Sequence, residues 1–223
     1  MPSILTDTLA ELDRARARSG SAILVAFSGG KDSLVCLDLC VRSFSRVECF
    51  FMYLVPGLEC VETMLQRARD RWGVTIRQYP HWVLSRLIRD GIYSDPWFGN
   101  DDLPRWTVRE VYELAMAESG IRFIATGAKL SDSMWRRRNM MTAKRIADFT
   151  INPLKRWSKL DVLAYLHSHA IPVPDGPSGN ATGIDLSTPS LLWLYDNHPA
   201  DFARVCEVFP YAEAVIWRRK FYG

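Results

Sequence analysis

Residues 25–35 read VAFSGGKDSLV, and this stretch decides the fold that we expect for the chain. An apolar run that breaks into Ser-Gly-Gly-Lys-Asp-Ser and then turns apolar again is typical of a buried strand, a tight turn and a helix that begins at the turn. Gly29 and Gly30 let the backbone approach a ligand and adopt positive φ, and the amides that follow lie at a helix N-terminus, where the helix dipole favours an anion. We therefore expect residues 28–33 to hold an anion.

The side chains of this loop fit the same interpretation. Ser28 and Ser33 offer hydroxyl donors, Lys31 a point charge, and Asp32 a carboxylate for magnesium. The loop is not a Walker A motif, because Val25 stands where that motif needs glycine and Asp32 stands where it needs Ser or Thr. An ordinary strand-to-helix turn, with glycine for geometry and Asp or Ser for capping, remains the alternative.

Four apolar, β-favouring runs recur along the chain, at 22–27, 47–54, 74–79 and 122–127, with helical patterns between them. This alternation predicts an α/β fold: a mainly parallel twisted sheet with helices on both faces, in which ligands lie beyond the carboxyl ends of the strands. Capping boxes are expected at Thr107–Glu110 and Ser158–Asp161. We assign residues 1–150 to a nucleotide-binding core and 151–223 to a helical C-terminal extension packed on the same domain. Residues 172–183 are expected to form a long loop, and the last forty or so residues one or two helices.

Composition excludes several other classes. The chain has 223 residues, 48% of them hydrophobic, and a formal net charge of +3. The basic balance is too small to indicate nucleic-acid binding by the whole chain, and neither a signal peptide nor a membrane-spanning run is recognisable, so we expect a cytoplasmic protein. The five cysteines form no CxxC pair or disulfide framework, and Cys36 and Cys40 are expected to pack in the core.

Four ordered segments carry a family resemblance: SGGKDS (28–33), PGLECVETM (56–64), TGAKLSDSMWR (126–136) and NPLKRWSKLDVLAYLHSHAIPVP (152–174). The first resembles the PP-loop of the adenine-nucleotide α-hydrolase superfamily, whose fold is Rossmann-like. Together the four segments resemble its phosphoadenylylsulfate (PAPS) reductase-like branch over residues 20–176, with Lys129 where that branch usually has arginine.

This resemblance implies roles for individual residues. Residues 28–33 would cradle the phosphates of an adenine nucleotide, Lys129 and Arg136 would supply cations to them, and Asp32 would bind Mg²⁺. The resemblance implies Lys31, Asp32 and Arg136 as the catalytic residues. The full set of nucleotide-binding candidates is Phe27, Ser28, Gly29, Gly30, Lys31, Asp32, Ser33, Met52, Tyr53, Glu62, Gly127, Lys129, Ser133 and Arg136.

The chain also departs from this family. The cysteine-containing C-terminal motif of PAPS reductases and the cysteines that hold an iron–sulfur cluster in APS reductases are not found, so no cluster is expected. The resemblance then favours an enzyme that binds ATP with Mg²⁺ and adenylates an acceptor for sulfur transfer, as ATP pyrophosphatase components of DNA phosphorothioation systems do. A cysteine desulfurase would supply sulfur, and a homodimer is left open. Two alternatives also stay open: a PAPS or APS reductase that uses Cys60 or Cys206, and a non-catalytic nucleotide-binding regulatory module.

Two other stretches are candidate contact surfaces. Residues 133–145 and 216–223 mix arginines with aromatic residues, a mixture that suits phosphates and bases in a nucleic acid; a solvated end and a role at the nucleotide are the alternatives. The acidic, aromatic segment 91–106 is expected to be a lid, a partner surface or a packed excursion.

Overall fold

The computed structural model describes residues 4–95, 102–132, 134, 149–173, 176 and 185–222. Its strands are β1 (Ala22–Ala26), β2 (Arg46–Tyr53), β3 (Thr75–Pro80), β4 (Ile124–Thr126) and β5 (Thr150–Ile151). Its helices are α1 (Ile4–Ser19), α2 (Lys31–Ser43), α3 (Glu59–Trp72), α4 (Leu84–Arg89), α5 (Val108–Ser119), α6 (Lys159–Ser168), α7 (Thr188–Asn197), α8 (Pro199–Val208) and α9 (Ala214–Tyr222), and a 3₁₀ turn spans Pro210–Glu213.

The strands form one sheet in the order β3-β2-β1-β4-β5, and every neighbouring pair runs parallel. The predicted α/β fold is therefore confirmed, and the four predicted strands agree with β1 to β4 within two residues at each end. β5 was not predicted, because a strand of two residues is too short to show a period.

Side chains of β1 alternate between two hydrophobic clusters on opposite faces of the sheet. Ile23 and Val25 belong to the larger cluster, to which α1, α2, α3 and the C-terminal helices contribute, whereas Leu24 packs with residues of α5 in the smaller one. Helices thus cover both faces, as parallel sheets require. Cys36 and Cys40 are fully buried in the larger cluster, as expected.

The two predicted capping boxes are confirmed. At Thr107 and at Ser158 the side chain accepts a hydrogen bond from the backbone three residues on, and the acidic side chain there accepts one from the capping residue. The predicted number of helices in the last forty or so residues, one or two, was too low, since α7, α8 and α9 follow residue 185. A proline lies in the first turn of α7 and another in the first turn of α8. These prolines mark two separate helix starts within one continuous apolar pattern.

Two predicted loops are only partly covered. Residues 174–175 and 177–183 of the expected loop 172–183 lie outside the described residues, as do residues 96–101 of the segment 91–106. Across the described parts of the chain, no helix has both the length and the apolar character needed to cross a membrane.

Candidate functional site

The site lies where the strand order changes direction around β1. β1 pairs with β2 on one side and with β4 on the other, and Ala26 is in register with both Phe50 and Thr126. In open parallel sheets, ligands bind at such a point, outside the carboxyl ends of the strands, here β1 and β4. Residues 27–33 and 127–132 follow these two strand ends, and the fold thereby brings both predicted segments to one place.

The backbone of residues 28–31 forms a tight connection from β1 to α2. Gly29 has φ of +74°, and a Cβ built on it would lie 1.8 Å from the Met64 sulfur. Gly30, by contrast, is the extended N-cap of α2 with φ of −73°, so the expectation of positive φ holds for Gly29 and was wrong for Gly30. No side chain caps this helix. Its first backbone N–H groups are consequently available to an anion.

The two serines of the loop bond to the loop itself. The buried Ser33 hydroxyl donates to the carbonyl of Gly30 (2.8 Å), and the exposed Ser28 hydroxyl donates to Ser33 Oγ (3.3 Å). Ser33 therefore helps to hold the turn in shape. Ser28 is the hydroxyl that a ligand can reach from solvent.

Four charged side chains meet between the two segments. The Lys129 ammonium donates to Asp32 and lies 3.2 Å from Asp132, while Lys31 Nζ lies 3.1 Å from the other oxygen of Asp32. The Lys129 side chain is only 5% exposed, against 14% for Lys31 and 24% for Asp32. Lys31 and Asp32 lie half-buried in the first turn of α2, and do not project freely into solvent, because Lys129 and its loop pack against them.

Gly127 determines how closely the β4 segment approaches α2. A Cβ at this position would lie 2.8 Å from the backbone carbon of Asp32 and 3.0 Å from the nitrogen of Ser33. These neighbours are backbone atoms, which cannot move aside as a side chain can. Glycine at 127 thus allows the contact that brings Lys129 to Asp32.

Three further nucleotide-binding candidates, Phe27, Met52 and Tyr53, lie along the same edge of the sheet. Phe27 is buried in the larger cluster, and its N–H donates to the Phe50 carbonyl at 2.9 Å. Met52 packs against the smaller cluster, and the Tyr53 carbonyl accepts from the N–H of His81 at 2.8 Å. β2 therefore continues past the end of β1 and lies beside the loop of residues 28–33.

Three other candidates are not placed with this group. Glu62 accepts a hydrogen bond from Gln78 of β3 at 2.8 Å, two strands away from β1. Ser133 and Arg136 lie outside the described residues. Their predicted roles stay predictions.

The cysteines of the reductase alternative are poor nucleophiles in this fold. Burial, together with a hydrogen bond to Asp201, raises the pKa of the Cys60 thiol to about 12. Burial and the nearby charge of Glu213 raise the pKa of Cys206 as well. Since the thiolate is the reactive form, neither residue is activated at neutral pH.

Asp32 is the carboxylate that fits a magnesium ion. Mg²⁺ usually keeps several waters and binds through one or two carboxylates together with substrate phosphates. Asp32 lies in the loop of residues 28–33 and forms ion pairs with Lys31 and Lys129. Phosphates that draw these lysines away would leave the oxygens of Asp32 available to a metal. In the part of the chain that the structure describes, no group of three or more acidic, His or Cys side chains is placed to hold a metal without such a ligand.

Three residues of the site were not found from the sequence. Met64 covers Gly29, Asp132 accepts from the backbone N–H of Lys129 (2.9 Å), and Asp201 of α8 accepts from the N–H groups of Glu59 and Cys60 (2.6 and 2.9 Å). Burial opposes the ionisation of Asp201, but these hydrogen bonds outweigh it and hold its pKa below the ordinary value. Only Asp132 leaves a local signal, its three-residue spacing from Lys129.

Comparison with known proteins supplies a family. A family model described as the phosphoadenosine phosphosulfate reductase domain matches residues 22–175. A comparison with curated protein sequences finds no match.

One solved structure supports the fold at low sequence identity, and two others are similar to this chain with lower scores. NH3-dependent NAD synthetase from Campylobacter jejuni, in complex with nitrate, is 11% identical with a TM-score of 0.51 and covers 98% of this chain and 94% of its own. PAPS reductase from Candida auris, a phosphate complex, is 20% identical with a TM-score of 0.49 and coverages of 74% and 81%. The U34-tRNA thiolase NcsA from Methanococcus maripaludis, with its [4Fe-4S] cluster, is 16% identical with a TM-score of 0.49 and coverages of 95% and 78%.

Proposed function

Because the chain belongs to the phosphoadenosine phosphosulfate reductase domain family, within the PP-loop adenine-nucleotide α-hydrolase superfamily, we propose that it binds ATP with Mg²⁺ and cleaves it at the α-phosphate to adenylate an acceptor. The observation that carries the proposal is the meeting of Lys31 and the buried Lys129 at the uncapped N-terminus of α2. This is a site for a polyphosphate.

Binding follows from the charges and donors in the crevice. The phosphates lie against the first N–H groups of α2 and beside Lys31 and Lys129, and the adenine end lies along the edge formed by Phe27, Met52 and Tyr53. Each lysine already holds one oxygen of Asp32. Binding therefore exchanges part of this ion pairing for pairing with phosphate, at little cost in desolvation because Lys129 is buried beforehand.

Adenylation is a displacement at phosphorus. An acceptor oxygen attacks the α-phosphorus, the bond from that phosphorus to the oxygen bridging to the β-phosphate breaks, and pyrophosphate leaves with the electron pair. Lys31, Lys129 and the α2 amides stabilise the negative charge that builds on the leaving oxygens. When bound, Mg²⁺ neutralises phosphate charge, and Asp32 is the residue that would hold it.

The adenylated acceptor would then take sulfur from a separate donor. A sulfur nucleophile displaces AMP, which is a far better leaving group than the original oxygen. The chain's own cysteines do not suit this step, since the pKa values of Cys60 and Cys206 are raised. We therefore propose a sulfur-donor protein such as a cysteine desulfurase as partner, and a nucleic acid, modified as in DNA phosphorothioation, as acceptor.

Product analysis tests the proposal. Purified protein is incubated with ATP, Mg²⁺ and, in turn, single-stranded DNA, duplex DNA and tRNA, and AMP, ADP, phosphate and pyrophosphate are quantified by chromatography. Because adenylation leaves AMP on the acceptor, pyrophosphate in an amount equal to the acceptor-bound AMP, dependent on one acceptor and lost in Lys31→Met, supports adenylation. Free AMP should follow only when a sulfur donor is added. ADP with phosphate would contradict it, and ATP binding without turnover with any acceptor or partner would favour the non-catalytic regulatory module.

The reductase alternative has its own assay. PAPS or APS is supplied with a dithiol reductant, and sulfite release is measured for the wild type and for Cys60→Ser with Cys206→Ser. Release that depends on these cysteines would replace the adenylation proposal with the reductase one.

A further inference from the structure

Helix α9 has an exposed aromatic face that the nucleotide site does not use. Trp217, Phe221 and Tyr222 are 52%, 73% and 89% exposed, whereas Val215 and Ile216 on the opposite side are buried in the core. Three large aromatic side chains within six residues of an otherwise anchored helix are unusual on a protein surface. They indicate a surface built for contact.

The rings are arranged as platforms. Trp217 and Phe221 lie one helical turn apart with centroids separated by 6.1 Å and planes inclined by only 21°. Their planes are therefore nearly parallel, and both rings are largely exposed. Such exposed ring faces suit stacking with planar groups.

Cations accompany these rings. Lys220 Nζ lies 5.0 Å from the Trp217 ring centroid, and Arg218 is exposed on the same side of the helix. Arg219 points elsewhere, because it makes two hydrogen bonds to Asp196 of α7 (2.6 and 2.7 Å) that fix α9 in place. The sequence of α9 contains no acidic residue.

We infer that this α9 surface, formed by Trp217, Arg218, Lys220, Phe221 and Tyr222, binds single-stranded nucleic acid. Bases stack on the two nearly parallel rings while Arg218 and Lys220 pair with phosphates. The inference rests on the proposed function in one respect, since it names the surface that would hold a nucleic-acid acceptor, but binding itself requires no ATP.

The positive charge of the α9 surface argues against another protein molecule as its ligand. In a symmetric contact between two copies, the same patch faces itself, which would bring Arg218 and Lys220 of one copy close to those of the other without an acidic residue of α9 to compensate. Protein interfaces are enriched in aromatic residues and arginine but depleted in lysine, so Lys220 is the residue of this surface that suits a protein contact least. A polyanion with flat bases matches both halves of the surface.

Fluorescence anisotropy with labelled 20-nucleotide single strands, in the absence of ATP, tests the inference. We expect Trp217→Ala with Phe221→Ala to weaken binding at least tenfold, because each lost stack is worth about that factor. Trp217→Phe, which keeps a ring, should retain most of the affinity. Phe149→Ala replaces another exposed aromatic residue, 38% exposed and outside the candidate contact surfaces, and should change nothing.

Salt dependence tests the cations. Removing Arg218 and Lys220 together should reduce the slope of log affinity against log salt by about 1.4, since each contact to a single strand contributes about 0.7. Arg109→Ala, at an exposed arginine of α5 paired with Glu113, is the matched control and should leave the slope unchanged.

Three results would overturn the inference: no measurable binding, affinity that the double aromatic variant retains, or a dimer that this variant converts to a monomer in sedimentation. Melting temperatures check that each variant is folded. ATP binding by the same variants, measured by calorimetry, separates this inference from the proposed function, because loss of oligonucleotide binding should leave ATP binding intact. If ATP binding fails in the wild type while the oligonucleotide still binds, only the proposed function falls.

Discussion

At the scale of single residues, the candidate site depends on two glycines that serve different purposes. Gly29 takes a positive φ and lies under Met64, so it is needed for backbone conformation. Gly127 is needed for space, because the backbone of Asp32 lies where its Cβ would be. Of the two, Gly127 more directly controls the distance between the lysines that would hold phosphate.

Gly127→Ala should therefore move the first turn of α2 away from the β4 segment. We expect a loss of about 1–3 kcal/mol in the free energy of unfolding, as for other overpacked positions, and at least a tenfold loss of ATP affinity, since a shift of that size weakens several charge-assisted contacts. Urea denaturation and calorimetry measure the two effects.

The control for this variant is Gly73→Ala, at the C-cap of α3. Gly73 has φ of +64° with no neighbour within 4 Å of the added carbon, so its replacement costs about 1 kcal/mol of backbone strain. ATP affinity should not change. Equal losses of affinity in the two variants would show that general destabilisation, and not the contact at Gly127, is responsible.

Lys129→Met tests the buried cation. The variant keeps the length of the side chain but leaves Asp32 paired with Lys31 alone, and pyrophosphate formation should fall about 100-fold, as when one stabilising donor is removed from an active site. Lys155→Met, at a half-exposed lysine paired with Glu11, is the control. An unchanged rate in Lys129→Met would mean that this residue only supports the loop.

At the scale of secondary-structure elements, one buried carboxylate joins three helices. Asp38 of α2 accepts hydrogen bonds from Arg42 (2.7 Å), Trp72 of α3 (2.9 Å) and Tyr165 of α6 (2.7 Å). Burial opposes its ionisation, but the three donors outweigh burial and lower the pKa of Asp38. Burial and the hydrogen bond to Asp38 raise the pKa of the Tyr165 hydroxyl. Helix α2, which begins in the loop of residues 28–33, is thus held in place by α3 and α6.

Asp38→Asn should cost about 2 kcal/mol of unfolding free energy at pH 7, because an amide cannot accept from all three donors. A carboxylate with a lowered folded-state pKa stabilises the protein above its unfolded pKa of about 3.9, and this contribution disappears as pH falls through the folded value. The difference between wild type and variant should therefore shrink below about pH 3.9. Urea denaturation from pH 7 to pH 3 measures it.

Asp70→Asn is the control for the pH series. Asp70 is an exposed acceptor for Gln66 on α3, and its replacement should change stability by less than 0.5 kcal/mol at every pH. A difference for Asp38→Asn that stays constant down to pH 3 would contradict the assigned ionisation of Asp38.

The elements themselves were largely predictable from the sequence. β1 to β4 show as apolar runs, and Thr107 and Ser158 mark the starts of α5 and α6 through capping boxes, since these signals are local. β5 and the division of the C-terminal helices were missed because neither leaves a clear period. The parallel order could be predicted only as a class of sheet, because pairing depends on contacts distant in sequence.

The candidate site was predictable in its location but not in its charge balance. The site residues follow two neighbouring strands, β1 before Lys31 and Asp32 and β4 before Gly127 and Lys129. The fold therefore brings them together. The pairing of Lys129 with Asp32 joins residues 97 positions apart, and no sequence period encodes it. The packing role of Gly127 is likewise visible only from the backbone of α2.

At the scale of the whole molecule, the C-terminal helices are joined to the nucleotide-binding sheet beside the site. Asp201 caps α3 from α8, and Arg204 Nε donates to the Pro56 carbonyl at 2.7 Å. The connection from the end of β2 to α3 is thereby held by the extension. Helix α8 therefore supports the segment that leads from β2 towards the site, while the proposed α9 surface lies on a separate helix.

The measurement that tests the central claim most directly is calorimetric binding of ATP with Mg²⁺, PAPS and APS to one purified preparation, with Lys31→Met as the control. We expect ATP to bind more tightly than either sulfated nucleotide and Lys31→Met to lose at least tenfold in ATP affinity. Tighter binding of PAPS or APS, accompanied by sulfite release with a reductant, would contradict it.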